Sequence, residues 1–291
     1  MTVSPRSRQL RSSELGNFVD ELDNWLRPDQ SWSLRDEFPQ VFGPRSRAQH
    51  FVLDLGDETV AHAAALDLDM RVHGRSWHPR LVGSVVVDPH HRGLGLGRAV
   101  MEEVVRNFES SSREALVLWS DKPGFYAKLG FEPFGHEFHV SVDGHGVEAP
   151  EPRAELRPAR ERDLEELLLL HLGKPIHSAR SLGDFESFVR IPDCKTYVAD
   201  RDGHVVAYAC IGKGLDFPNF AHELGGTDAD VTWMLRELAT HSAEPLGVLL
   251  PLWRVSMLRA FEDHAIEPAP LALGIVRAAP EDVAFDGFDS I

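Results

Sequence analysis

Val85-Val86-Val87-Asp88-Pro89-His90-His91-Arg92-Gly93-Leu94-Gly95-Leu96-Gly97-Arg98 is the most informative stretch of this 291-residue chain. Three valines read as a buried strand, Asp88-Pro89 closes it, and alternating glycines open a segment with helical spacing at Leu96, Val100, Val104 and Val105. Glycine lets the backbone turn its N–H groups inward and lets a phosphate approach without a side chain in the way. A helix start adds unpaired donors and the positive dipole end, worth roughly 0.3–1 kcal/mol per nearby negative charge. Arg92 and Arg98 contribute formal charge, so the stretch suits a pyrophosphate.

The spacing excludes two common phosphate sites. A nucleoside triphosphate loop needs Gly-x-x-x-x-Gly-Lys-Ser/Thr, and no lysine follows here. The dinucleotide fingerprint needs Gly-x-Gly-x-x-Gly, whereas the glycines stand at 93, 95 and 97. Alternating glycines alone would also serve a plain tight turn. The stretch resembles instead the acyl-CoA-binding motif of the GNAT superfamily of N-acetyltransferases, Arg/Gln-x-x-Gly-x-Gly/Ala, here Arg92-Gly93-Leu94-Gly95-Leu96-Gly97. Downstream, Gly124-Phe125-Tyr126-Ala127-Lys128-Leu129-Gly130-Phe131 is similar to the family's Phe-Tyr-x-Lys-x-Gly-Phe segment.

The resemblance implies a mixed α/β (α+β) fold and acetyl-CoA as co-substrate. It would place Val85, Val86 and Val87 on a strand that splays from its neighbour and pairs with the pantetheine arm. Backbone amides from Arg92 to Arg98, Leu94 and Leu96 included, would hold the pyrophosphate. Tyr126 would protonate the departing thiolate, with a packed aromatic beside Phe125 and Phe131 as the other reading. The family often carries an Asn before this helix; here the stretch is Trp119-Ser120-Asp121-Lys122. A backbone N–H within Val85–Val87 would polarise the thioester carbonyl.

The acceptor sets a further requirement. An alkyl amine with a pKa near 10.4 is protonated at pH 7, and removing that proton costs roughly 4–5 kcal/mol. Asp67, Asp69, His62 and His73 are candidates for the base, and none is singled out. Period-two alternation puts the two aspartates on a solvent face, which favours a structural role.

Around this segment the chain divides in two. Val142-Asp143-Gly144-His145-Gly146-Val147-Glu148-Ala149-Pro150-Glu151-Pro152 breaks both periodicities and reads as a linker. The expected domains are 1–143, binding acetyl-CoA and catalytic, and 153–291, GNAT-like without the pyrophosphate loop. In the first, a helix is expected from Leu15 to Leu26, capped by Ser12 or Ser13. Strands follow at Phe51–Asp54, Val60–Met70 and Leu81–Val87, then a helix Gly95–Phe108, strand Ala115–Trp119, short helix Gly124–Leu129 and a strand from Phe131. In the second, the pattern predicts a helix from Asp163 to His171, a helix Asp184–Arg190, strands Thr196–Ala199 and Val205–Ile211, a helix Asp228–Ala239, strand Gly247–Leu250 and a helix Trp253–Phe261. The order of elements repeats, a duplication at the level of fold. In place of a glycine-arginine loop stands Ala221-His222-Glu223-Leu224-Gly225-Gly226, similar to the His-Glu-x-Gly-Gly of degenerate second domains in tandem GNAT proteins. Its expected role is to wall the acceptor cleft or to stabilise the first domain.

Composition narrows the partners. Thirty Lys+Arg against 46 Asp+Glu give a formal charge of −16, which argues against a nucleic-acid binder or a protein held on anionic lipid. No apolar run approaches the ~20 residues of a membrane span, and no secretory signal is visible, so a cytoplasmic location is expected. Two cysteines, Cys194 and Cys210, make no disulfide framework. His136-Glu137-Phe138-His139 lacks the zinc-protease spacing and lies on a strand, with its histidines on opposite faces; no metal is expected. The expected reaction is direct acetyl transfer to a primary amine of a small molecule or peptide, a cationic acceptor such as a polyamine or aminoglycoside being weakly favoured. A homodimer is compatible with the sequence. Two other readings stay open: a non-catalytic acyl-CoA sensor, and a transferase for longer acyl groups.

Overall fold

The computed structural model describes residues 4–144 and 153–291, so the expected linker lies mostly outside the described residues. The first half runs β1 (Arg6–Gln9), α1 (Ser12–Leu26), the single turns α2 (Leu34–Glu37) and α3 (Pro39–Phe42), β2 (Gln49–Leu55), β3 (Glu58–Asp67), the hairpin β4 (Met70–Val72) and β5 (Arg75–Trp77), and β6 (Pro79–Val87). It continues with α4 (Leu96–Glu109), β7 (Ala115–Leu118), α5 (Pro123–Ala127) and β8 (Glu132–Val142). The second half runs β9 (Glu155–Pro158), α6 (Leu164–Leu172), β10 (Ile176–Ser178), α7 (Leu182–Phe188), β11 (Lys195–Arg201), β12 (His204–Lys213) and β13 (Asp216–Gly226). It continues with α8 (Asp228–Thr240), β14 (Leu246–Pro251), a 3-10 segment Leu252–Phe261, β15 (Ala265–Val276) and a 3-10 turn Gly287–Asp289.

The helices form where apolar residues recur on one face. In α4 the stripe Leu96, Val100, Met101, Val104 and Phe108 is buried against Phe51, Ala63 and Val82 of the sheet. In α1, Phe18, Val19 and Leu22 pack on the opposite face of the sheet with Val41, Val52 and Val86. The cap differs from expectation: Ser12 already lies inside α1, and the Glu14 carboxylate accepts the Arg11 N–H at 2.9 Å. The expected strand Val60–Met70 is two pieces, because the chain leaves β3 at Asp67 and turns into the β4–β5 hairpin. Residues 253–261 wind as 3-10 turns, with Arg254 off helical geometry.

Among the described residues the strands form one 12-stranded sheet in the order β1-β2-β3-β6-β7-β15-β8-β14-β13-β12-β11-β9. The halves exchange strands. β15, from the end of the chain, lies between β7 and β8 and pairs antiparallel with both, Leu273 opposite Leu118 and Ile266 opposite Val140. β8, from the first half, pairs antiparallel with β14, Val142 opposite Leu246. A 3-stranded sheet repeats the theme at smaller scale, since β10 adds to the β4–β5 hairpin. Leu271, Ala272, Val283 and Ala284 accordingly share a core cluster with Trp77, Leu81 and Val117.

Each half contains one parallel pair, and in each it is short. β6 and β7 are paired only at Pro79–Leu81 with Ala115–Val117, and β13 and β14 only at Phe220 and Ala221 with Gly247 and Val248. Beyond Leu81 the strand β6 therefore leaves β7, and a wedge opens between them. No described helix is long and apolar enough to cross a membrane.

Candidate active site

The wedge has a local cause in β6. The β3–β6 register slips between His62 and Ala64, and Ser84 takes φ 50°, a left-handed conformation in mid-strand. The bulge is held from behind. The Ser84 carbonyl accepts from Nδ1 of His62 at 2.9 Å, and Nε2 of His62 lies 3.0 Å from Nδ1 of His50. Burial pushes both imidazoles down, His62 to about 3 and His50 to about 4, so the pair is neutral. His62 thus shapes the strand and does not line the cavity in front of it.

Along the three valines burial alternates. Val86 faces the α1–α3 layer with Phe18 and Val41, while Val85 and Val87 pack partly against the α4 cluster. Asp88 ends the strand: its carboxylate accepts the His90 N–H at 2.9 Å and pairs with Nδ1 of His91 at 2.8 Å. Gly93 and Gly95 follow at φ 82° and 77°, with open space where side chains would stand. These glycines are required by backbone conformation and leave a bare cradle of amides at the start of α4. Leu94 is exposed beside it, and Leu96 buries its side chain in the core while its backbone begins the helix. Gly97 stands one turn in, where a β-carbon would touch Val87 at 3.4 Å. Arg92 and Arg98 are both exposed, and Arg98 pairs with Glu102 at 2.7 Å.

A cavity of about 680 Å³ fills the wedge, lined by Ser84 and Val85 on one side and by Leu118, Trp119 and Tyr126 on the other. Tyr126 is buried on α5, edge-on to Phe125 at 4.9 Å and to Phe131 at 5.7 Å. The packed-aromatic reading describes this ring, which also borders the cavity. Burial raises its pKa, opposed by a hydrogen bond with Ser120, so the phenol keeps its proton at neutral pH.

The candidates for a base are elsewhere. Asp67 accepts from Arg80 at 2.6 and 3.1 Å and pairs with Arg113 at 3.1 Å. Asp69 pairs with His78 at 2.8 Å, and His73 is exposed on the β4–β5 turn near Asp282. The carboxylates that line the cavity are Asp121 and Asp216. Burial holds Asp216 above the usual carboxylate range, Lys213 and Arg27 opposing. Asp216 comes from β13, a strand without alternation at its start, where Phe217 and Asn219 take φ 53° and 56° and Pro218 stands between them. No periodic signal marks it, and only the fold brings it to the wedge. Ser290 and Ile291 also line the cavity, from the far end of the sequence.

The corresponding position of the second half is built differently. A β-carbon at Gly225 would stand 2.0 Å from the Tyr208 ring, and one at Gly226 would stand 2.5 Å from the Val206 carbonyl, so these glycines serve close packing. Thr227 caps α8, its hydroxyl accepting the Asp230 N–H at 3.2 Å. The Arg254 guanidinium bridges Asp228 and the Gly226 carbonyl at 2.6 and 3.2 Å. Glu223 is buried in an ionic network, accepting from Lys174 and Arg180 at 3.0 Å each and from the Tyr208 hydroxyl at 2.9 Å. His171, Glu223 and Asp286 converge closely enough to suggest metal ligands, but Lys174 already lies 3.0 and 2.8 Å from the two carboxylates. Cys194 and Cys210 are free thiols.

Comparison with known proteins follows the same division. The profile of the acetyltransferase (GNAT) domain matches residues 20–134, the span from α1 into β8. Serotonin N-acetyltransferase 2, chloroplastic, of Oryza sativa subsp. japonica is 31% identical over 109 residues, 34% of this chain and 54% of that protein. The match thus spans about half the length of that curated relative. Among solved structures, a protein of Enterococcus faecalis V583 aligns at TM-score 0.72 and 12% identity, over 94% of this chain and 73% of that one. A GCN5-related N-acetyltransferase from Kribbella flavida aligns at TM-score 0.64 and 17% identity, over 94% and 71%. At such identities the structures speak for the fold, which they share across both halves. The profile match covers the glycine-loop half and the structural likeness covers the whole: residues 20–134 match a GNAT acetyltransferase domain, and the full chain shares its fold with these structures.

Proposed function

We propose that the protein is an acetyl-CoA-dependent N-acetyltransferase that acylates a primary amine by direct transfer. The observation that carries this reading is the wedge where β6 leaves β7. The amide cradle of Arg92–Arg98 follows the end of β6, the bulge at Ser84 and Val85 lies inside, and the protonated Tyr126 phenol faces the same cavity. In this reading 1–143 holds the co-substrate, 153–291 walls the acceptor side through Asp216 and Phe217, and the two free thiols suit a cytoplasmic setting.

The chemistry assigns one task to each group. The pyrophosphate rests on the amides from Arg92 to Arg98, where the helix start favours negative charge. The pantetheine arm pairs with the free edge of Val85–Val87, and a backbone N–H there polarises the thioester carbonyl. The ammonium gives a proton to Asp216, whose raised pKa suits a base, the freed lone pair forms the N–C bond as the C–S bond breaks, and the nitrogen's second proton leaves to water. Tyr126 passes its proton to the leaving thiolate. No covalent enzyme intermediate is needed.

Thiol release from acetyl-CoA across an amine library tests the reading, with Tyr126→Phe as the control. The variant should lose turnover by about 10²–10⁴-fold, the range of a positioned acid, and keep its acetyl-CoA affinity. Wild-type protein that binds acetyl-CoA and releases no thiol with any amine would establish an acyl-CoA sensor instead. Comparison of acetyl-, butyryl- and octanoyl-CoA decides the acyl-chain preference.

A further inference from the structure

Beside the wedge lies a second cavity of about 400 Å³, and it owes its existence to the strand exchange. Its walls come from β8, β13, β14, β15 and the segment after β15, so neither half encloses it alone. Trp119, Phe217 and Ser290 line both cavities, so the two adjoin there. Most of the remaining surface is apolar: Phe220, Leu249, Leu271 and Phe285 stand around it, with Pro218 and Pro270. Trp119 and Phe285 meet edge-on at 5.3 Å, which fixes the orientation of both rings. Phe217 holds φ 53° and stacks on His222 at 5.1 Å, a conformation that a large L-residue adopts only under constraint from its surroundings.

The titratable groups lining this chamber are few. Glu137 lies 3.0 Å from Nε2 of His139, and Asp286 accepts from Lys174 at 2.8 Å. Both carboxylates are thus already engaged, so the chamber presents aromatic and aliphatic surface and little unpaired charge to a ligand. A polyamine or an aminoglycoside would have to strip several ammonium or hydroxyl groups of water against Phe220, Leu249 and Phe285 without partners.

We propose that this chamber is the acceptor site and that it selects a monoamine with a flat apolar body, such as an arylalkylamine. The apolar body lies between Phe220, Leu249 and Phe285, and the amine reaches the wedge past Phe217 and Ser290. The cationic acceptor that net charge favours is thereby narrowed to a monoamine. The inference rests on the transferase reading for its chemistry, but amine binding can be measured without turnover.

The test uses 2-phenylethylamine and spermidine as probes with the full chain. Calorimetry on the protein saturated with CoA should detect 2-phenylethylamine binding, and thiol release should show at least about 10-fold higher kcat/KM for it than for spermidine. Leu249→Gln and, independently, Phe285→Ala should each raise the KM or Kd for 2-phenylethylamine about 10-fold and leave the KM for acetyl-CoA unchanged. Preference for spermidine, or 2-phenylethylamine binding that neither variant weakens, overturns the chamber and leaves the transferase standing. Binding that both variants weaken, with no thiol released, keeps the chamber and removes the transferase reading. Absence of both binding and turnover with 2-phenylethylamine overturns the assignment of the acceptor.

Discussion

The main-chain oxygen of Ile291 lies directly against Gly83, so close that a β-carbon at position 83 would stand 1.6 Å from it. One residue is on the splayed strand and the other is at the far end of the sequence, yet they pack as neighbours in the floor of the wedge. Gln40 reinforces the contact by donating to the carbonyls of Phe288 and Ser290, each at 3.1 Å.

Gly83→Ala should therefore push the 286–291 segment off the sheet. Overpacking of this kind costs about 1–3 kcal/mol. Because Ser290 and Ile291 line the wedge, the substitution should also lower kcat/KM at least about 10-fold. Thermal melts and thiol release measure both effects. Unchanged activity would mean that the segment does not shape the site.

Gly95→Asp should abolish acetyl-CoA binding, with Kd rising at least about 100-fold, because a carboxylate would face the pyrophosphate at a left-handed position. Asn has the same size and tolerates that conformation better than most residues. Gly95→Asn should thus retain more affinity than Gly95→Asp. Calorimetry on both variants, with melting curves as a check of folding, separates charge from strain; equal losses would sink the pyrophosphate assignment.

The buried imidazoles predict acid sensitivity. His62 and His50 titrate near 3 and 4 when folded, below the ordinary 6.5, so the unfolded chain binds more protons in that window. Their contribution to stability is complete above pH 6.5 and is lost as the pH falls from there toward 4 and 3. The slope is about 1.4 kcal/mol per pH unit for each group at most. The Tm should fall between pH 7 and 5.5, and His50→Phe should flatten that fall. Melting curves that coincide at both pH values would contradict the neutral pair.

Glu223→Ala should be among the most damaging substitutions in the second half. It leaves the Lys174 ammonium and the Arg180 guanidinium buried without their shared carboxylate, a loss of about 3–5 kcal/mol. Glu223→Gln keeps acceptor capacity and should cost less. Denaturant unfolding ranks the two, and similar stability for both would mean that the carboxylate's charge is unimportant.

The sequence by itself determined the glycine-rich turn and the helix that follows it. Local requirements are written residue by residue in the Arg92–Arg98 stretch, since a left-handed turn demands glycine, a helix start supplies amides, and the buried stripe of α4 has helical period. The same holds for α8, expected at Asp228–Ala239 and found at Asp228–Thr240. Burial of Tyr126 was legible as one of two readings, and the cavity it borders was not. What only the tertiary structure decided is whatever depends on partners distant in sequence. The Ser84 bulge appears in no pattern because His62 and His50 hold it from another strand. β13 hides behind Pro218 and two left-handed residues, so Asp216 and Phe217 gave no periodic signal. The exchange of β8 and β15 is invisible for the same reason, because alternation specifies that a strand is buried and says nothing about which edge it joins. The glycine cradle could be read from one segment; the wedge beside it, lined from both halves, needed the whole chain folded together.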